Sequence, residues 1–168
     1  MEMKYRPVAR FAGIALAGCF LGMLPLAFSA CSESDCSLSG RPSVRFAFVN
    51  SLDHAPVSLF DSLTVTALGT DSVLANRERG IDHLTLPLDY SAGTTTFVLH
   101  YSRFLRDTIT VAHTNHPHFI SIDCGISMFY HLDGLEHTSI LLDSIQLVNP
   151  DIDDNEKNNY RIYYTPDE

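Results

Sequence analysis

Tryptophan is absent from this sequence of 168 residues, which argues against an aromatic platform for a sugar, although tyrosines could serve that role. Also missing are the GxSxG nucleophile elbow, the phosphate-binding P-loop, the HExxH zinc signature and the dinucleotide-binding GxGxxG. No cofactor is implied, and the expectation is a protein that is not an enzyme. Basic residues are scarce, 11 against 20 acidic ones, for a formal charge of −9. With no basic patch to offset that charge, nucleic acid is excluded as a partner. Cysteine is limited to four residues with no CxxC pair, so a structural zinc site is not expected.

What is present is concentrated first at the N-terminus. Lys4, Arg6 and Arg10 precede an uncharged run from Phe11 to Phe28, and small Ser29 and Ala30 lead into Cys31. A basic start, an apolar run and small residues at its end make a secretory signal peptide over residues 1–30. The run is long enough to invite the rival reading of an uncleaved anchor, but Pro25 and internal glycines weaken a spanning helix. Phe28-Ser29-Ala30-Cys31 resembles a lipobox, with Cys31 as the lipidated residue and new N-terminus. Leu16-Ala17-Gly18-Cys19 matches the lipobox better by letter, yet cleavage there leaves an apolar tail exposed. Ordinary signal-peptidase cleavage after Ser29 is the third possibility. Without its leader the chain keeps eight basic and nineteen acidic residues, a formal charge of −11, and its 138 residues suffice for one domain with a sizeable core.

Export also decides how the cysteines are read. Cys19 leaves with the leader and Cys31 takes the lipid, so Cys36 and Cys124 remain. Two such cysteines in an oxidising compartment as a rule pair. The expected disulfide closes a loop of roughly 90 residues, for which chain-entropy arguments give about 4 kcal/mol.

Residues 31–43 are polar and turn-rich, a tether, and residues 44–168 form a single domain in which apolar residues alternate with period two. Phe46 and Phe48 open the series. Leu63, Val65 and Ala67 follow, then Leu84, Leu86 and Leu88, then Phe97, Leu99 and Tyr101, then Ile109 and Val111. Phe119 to Ile122, Ile126 to Leu132, Ile140 to Leu147 and Tyr160 to Tyr164 supply the later strands. No helical stripe follows residue 31. Three segments rhyme: Asp61-Ser62-Leu63, Asp107-Thr108-Ile109 and Asp143-Ser144-Ile145, each read as a polar turn whose side chains bond nearby backbone before a strand begins. Eight or nine short strands predict an all-β fold, an antiparallel two-sheet sandwich, immunoglobulin-like in general architecture. A partly open barrel is the alternative.

Two clusters could carry ligand chemistry. His113, His116 and His118 lie in AHTNHPHF, and imidazoles two apart on a strand share a face suited to zinc or copper. Pro117 between them instead makes the segment read as a turn capping a hairpin, so no tight metal site is expected. Asp151, Asp153 and Asn155 open like a calcium loop, but Glu156 stands where glycine is required and Ile162 where the closing glutamate belongs. An EF-hand is rejected, leaving at most a looser calcium contact.

Three stretches carry a resemblance: DSLTVTALGTDSVLANR (61–77), DTITVAHTNHPHFISIDC (107–124) and DSIQLVNP (143–150). With the leader and Tyr160-Arg161-Ile162-Tyr163, they resemble a family of Bacteroidota lipoproteins classed as a domain of unknown function. The resemblance spans nearly all of the chain after the leader, and 107–124 is its most specific part. It implies an outer-membrane lipoprotein, on the periplasmic or the cell-surface face, with Cys36 and Cys124 matching the family's cysteines. It also implies a partner, an outer-membrane barrel-like protein, and no catalytic residues. The expected function is a non-catalytic accessory or binding module held at the membrane by its N-terminal lipid; the alternative is a ligand- or metal-binding lipoprotein using the histidine-rich turn. An exposed apolar sheet face would favour the first, and outward-facing rings of His113, His116 and His118 the second.

Overall fold

The computed structural model describes residues 41–59, 62–70, 72–155 and 157–165. The leader, the tether, Cys31 and Cys36 lie outside the described residues. Alternation in the sequence becomes ten strands: β1 (Ser43–Asn50), β2 (Leu63–Ala67), β3 (Val73–Glu78), β4 (His83–Pro87), β5 (Thr94–His100), β6 (Arg106–Ser121), β7 (Gly125–His137), β8 (Ser144–Leu147), β9 (Asp151–Ile152) and β10 (Tyr160–Tyr164). They form a sheet in the order β4-β1-β10-β8 and a sheet in the order β3-β2-β5-β6-β7-β9. The fold is the expected all-β sandwich, with no helix among the described residues. Neighbouring strands run antiparallel except β1 and β10, which pair in parallel from Phe46↔Tyr160 to Asn50↔Tyr164.

One face of each sheet is apolar because successive side chains point to opposite sides of a strand. Val44, Phe46, Phe48, Leu84, Leu86, Tyr160 and Ile162 come inward from the four-stranded sheet and are buried. Leu63, Val65, Phe97, Leu99, Ile109, Val111 and Leu132 meet them from the six-stranded sheet in a single core. Phe46 stacks on Tyr160 with ring centroids 5.3 Å apart. Each large side chain so buried contributes about 1.5–3 kcal/mol relative to exposure. Burial of Tyr160, with Asp133 nearby, pushes its phenol up to about 12.

Buried Asn159 fastens β1 to the chain before β10. Its Oδ1 accepts from the Arg45 N–H at 3.0 Å, and its Nδ2 donates to the carbonyls of Asn149 (3.1 Å) and Asp151 (3.2 Å).

The structure departs from the sequence reading in four places. β3 was not expected, because its residues VLANRE do not alternate; Ala75 is buried and Leu74 partly so, and the rest of this edge strand is exposed. β9 is only two residues long. The expected strand Ile140 to Leu147 shortens to β8, because residues 140–142 are held instead as a loop around a buried carboxylate. Finally, Ile109–Val111 and Phe119–Ile122 are not two strands, since β6 runs unbroken through the histidine segment to Ser121.

Candidate functional site

β6 and β7 pair along almost their whole length, from Ile109↔His137 to Ser121↔Gly125. β5 covers β6 only from Arg106 to Ala112, and β9 covers β7 only at Tyr130 and His131. Among the described residues, the part from His116 to Phe129 has no other strand beside it. It is a two-stranded ribbon extending about 20 Å from His116 to Ile122. This corrects the expectation that AHTNHPHF is a turn. Pro117 sits within the ribbon opposite Met128, on a strand with no neighbour on its outer edge, where a missing N–H costs no ladder bond. The turn comes later, at residues 122–124, where the Cys124 N–H donates to Ser121 Oγ at 3.0 Å. Gly125 follows with φ +74°, a left-handed conformation that suits a residue without Cβ.

The three histidines do not form one group. His113 is buried, and its ring is held at both nitrogens: Nε2 lies 2.8 Å from Thr95 Oγ1 and Nδ1 lies 2.7 Å from Asn115 Oδ1. Asn115 Nδ2 donates to the carbonyls of Tyr90 and Ala92, both at 2.8 Å, so its Oδ1 must accept from the imidazole. The Thr95 hydroxyl oxygen accepts from the Asp89 N–H at 2.9 Å and its proton is free to go to Nε2. With Nδ1 donating to Asn115 Oδ1 and Nε2 against the Thr95 hydroxyl, both ring nitrogens are engaged. Tyr130 meets the ring edge-on at 5.4 Å. His113 is thus the clamp at the ribbon's base and has no nitrogen to offer a ligand. His116 and His118 are exposed on the ribbon, and His118 stacks on Phe129 at 4.6 Å. Among the described residues, no three His, Cys, Asp or Glu side chains gather to hold a metal.

The ribbon's tip is apolar. Phe119, Ile122 and Ile126 are 62%, 94% and 70% exposed, while Asp123 is the sole acidic residue from Thr114 to Phe129 and no Lys or Arg lies there. Cys124, in the turn, is not a free thiol.

The opposite end of β6 is built around Asp107, a carboxylate with no exposed surface. Oδ1 accepts from Thr138 Oγ1 (2.6 Å) and the Ile140 N–H (2.8 Å), while Oδ2 accepts from the N–H groups of Leu141 (2.9 Å) and Leu142 (3.2 Å). Burial alone would raise its pKa, but these four donors together hold it below the ordinary carboxylate value. Burial, and then the Asp107 charge, push the phenol of Tyr101 up. Ile140, in the loop so held, is 62% exposed, and Phe104, in the turn before β6, is 92% exposed. The Asp-Ser/Thr rhyme therefore resolves differently from expectation: Asp107 bonds amides more than thirty residues away, and Asp143 accepts from Ser51 and Thr165. Asp61 lies outside the described residues. The sequence did carry a signal, because Asp107 shares the inward parity of Ile109, Val111 and His113.

The acidic segment does not converge on a cation position. Asp151 Oδ1 pairs with His131 Nδ1 at 2.7 Å, whereas Asp153 accepts from the Asn155 N–H (2.8 Å) and Asn155 Nδ2 (2.9 Å). Asp153 and Asp154 also line an open cleft of about 650 Å³, which Arg41, Arg45, His83 and Lys157 line as well.

No curated protein and no solved structure matches this chain. A family profile matches residues 62–164, which is most of the domain and includes β6, β7, the Asp107 knot, the His113 clamp and the ribbon tip. The chain belongs to this family, described as a family of unknown function (DUF6452).

Proposed function

We propose that this protein is a non-catalytic, lipid-anchored module of the cell envelope that binds a neighbouring outer-membrane protein. The observation that carries the reading is the display of two large apolar side chains to solvent: Ile140, on a loop that Asp107 fixes through four hydrogen bonds, and Phe104, in a turn closed by bonds from the Tyr101 and Ser102 N–H groups to the Leu105 carbonyl. Apolar side chains on a rigid support lose little conformational entropy when a partner covers them. The exposed apolar groups lie near the ends of β6, not across the sheet face whose exposure would favour this reading. The leader supports the location: an apolar run ending in Ser29-Ala30-Cys31 is in keeping with an exported protein acylated at Cys31. A tether then raises local concentration beside the membrane, so weak contacts become effective. Cys36 pairs with Cys124, in keeping with the bonded state of Cys124.

The test is a photo-crosslinking residue at position 104 in intact cells, with position 77 on the polar edge strand as control. One discrete envelope protein joined at 104 and not at 77 is the expected result. Equal labelling at both positions, or none at 104, rejects the partner contact.

A further inference from the structure

We propose that the β6–β7 ribbon tip, formed by Phe119, Ile122 and Ile126, rests in the phospholipid headgroup–acyl boundary as a second membrane contact beside the lipid anchor. The inference rests on the reading that Cys31 is acylated and Cys36 is joined to Cys124. Chain length then fixes which end of the domain meets the bilayer. Four residues lie between Cys31 and Cys36, and the five Cα-to-Cα steps of that extended chain reach about 18 Å at most. A disulfide adds a Cα separation of about 6 Å, so the acylated residue lies within about 24 Å of Cys124. Phe104 lies beyond the far end of β6, whose 16 residues span about 50 Å. The anchor is therefore on the tip side.

The tip's chemistry matches that position. Its three apolar side chains are exposed, and the ribbon has no Lys or Arg whose hydration would oppose insertion. Histidines 116 and 118, on the stem, fall at headgroup depth. Asp123 at the turn keeps the contact interfacial, at the depth of about 5–10 Å typical of monotopic apolar faces, because a carboxylate is not carried into hydrocarbon. The His113 clamp at the base gives the contact its orientation, since a ribbon fixed by Asn115, Tyr90 and Ala92 transmits its angle to the sandwich. The acyl chains on Cys31 hold the protein at the bilayer, and the tip adds a second apolar contact to that binding.

The absence of tryptophan makes the experiment clean. Phe119→Trp and Phe104→Trp are made singly in the full chain, purified from membranes, checked for acyl mass, and reconstituted in phosphatidylethanolamine–phosphatidylglycerol vesicles containing brominated acyl chains. The tip reporter is expected to shift blue and lose about half its emission to the bromines, as an interfacial side chain does, while the reporter at 104 keeps its emission. Ile122→Trp repeats the measurement at a second tip position. Acylated, vesicle-bound protein with an unquenched tip overturns the wedge and leaves the anchor standing. Protein with no acyl mass and no vesicle binding overturns both. Equal quenching at 104 and 119 shows unspecific adsorption and also overturns it. A blue shift that needs protein concentration and no vesicles assigns the tip to a second copy; one seen only in native membranes assigns it to a protein. Either result overturns lipid as the occupant.

Discussion

β6 is one continuous strand with two neighbourhoods. From Arg106 to Ala112 it lies between β5 and β7, and Asp107, Ile109 and Val111 point into the core without exposed surface. Beyond His116 it has β7 alone, and Phe119 and Ile122 face solvent. Both halves carry large apolar side chains; what differs is whether neighbouring strands cover them. Apolar side chains in the first half are spent on stability, and those in the second remain available for contact. That division makes three stability measurements informative, and each can break it.

Ile109→Ala removes a buried side chain at the centre of the core, and denaturant unfolding should show a loss of about 4 kcal/mol. A loss below about 1 kcal/mol would mean that the core half is not close-packed. Asp107→Asn comes next. The amide keeps the shape but turns an NH₂ toward donors that need an acceptor, so a loss of about 3 kcal/mol is expected. The effect depends on pH with a definite sign. The folded-state pKa of Asp107 is lowered from its ordinary 3.8, so its contribution is full above the unfolded value and is lost as pH falls through the folded one. The native chain should therefore lose more stability than the Asn variant as pH drops below about 4, measured by urea midpoints across that range. Equal acid sensitivity in both would remove Asp107 from the account. Smallest of all, Ile122→Ala should change stability by less than about 0.5 kcal/mol, as surface substitutions do. A larger loss would show the tip to be structural.

The sandwich was legible because alternation is a direct record of one buried face. Val44 to Phe48 and Leu84 to Leu86 fall where period two puts them, and so do Phe97 and Leu99, although Val98 between them is buried as well. The ribbon was not, because Pro117 and three histidines look like turn chemistry when the open edge that tolerates them is unseen. Asp107 was misread for a related reason: Asp-Thr before a strand suggests local capping, while its actual donors at Ile140, Leu141 and Leu142 become neighbours only in the folded chain. His113 had a clue in its parity, and its clamp still needed Thr95 and Asn115 brought together by the β5–β6 pairing. The edge strand β3 carries almost no periodic signal because it buries almost nothing.

The two ends of β6 have different work only if the anchor lies on the ribbon side. The direct test is non-reducing mass spectrometry of the protein purified from membranes. The mature chain should begin at acylated Cys31, with the peptide holding Cys36 joined to the peptide holding Cys124. A chain beginning at Ala30 without acyl mass, with Cys36 unpaired, would contradict this.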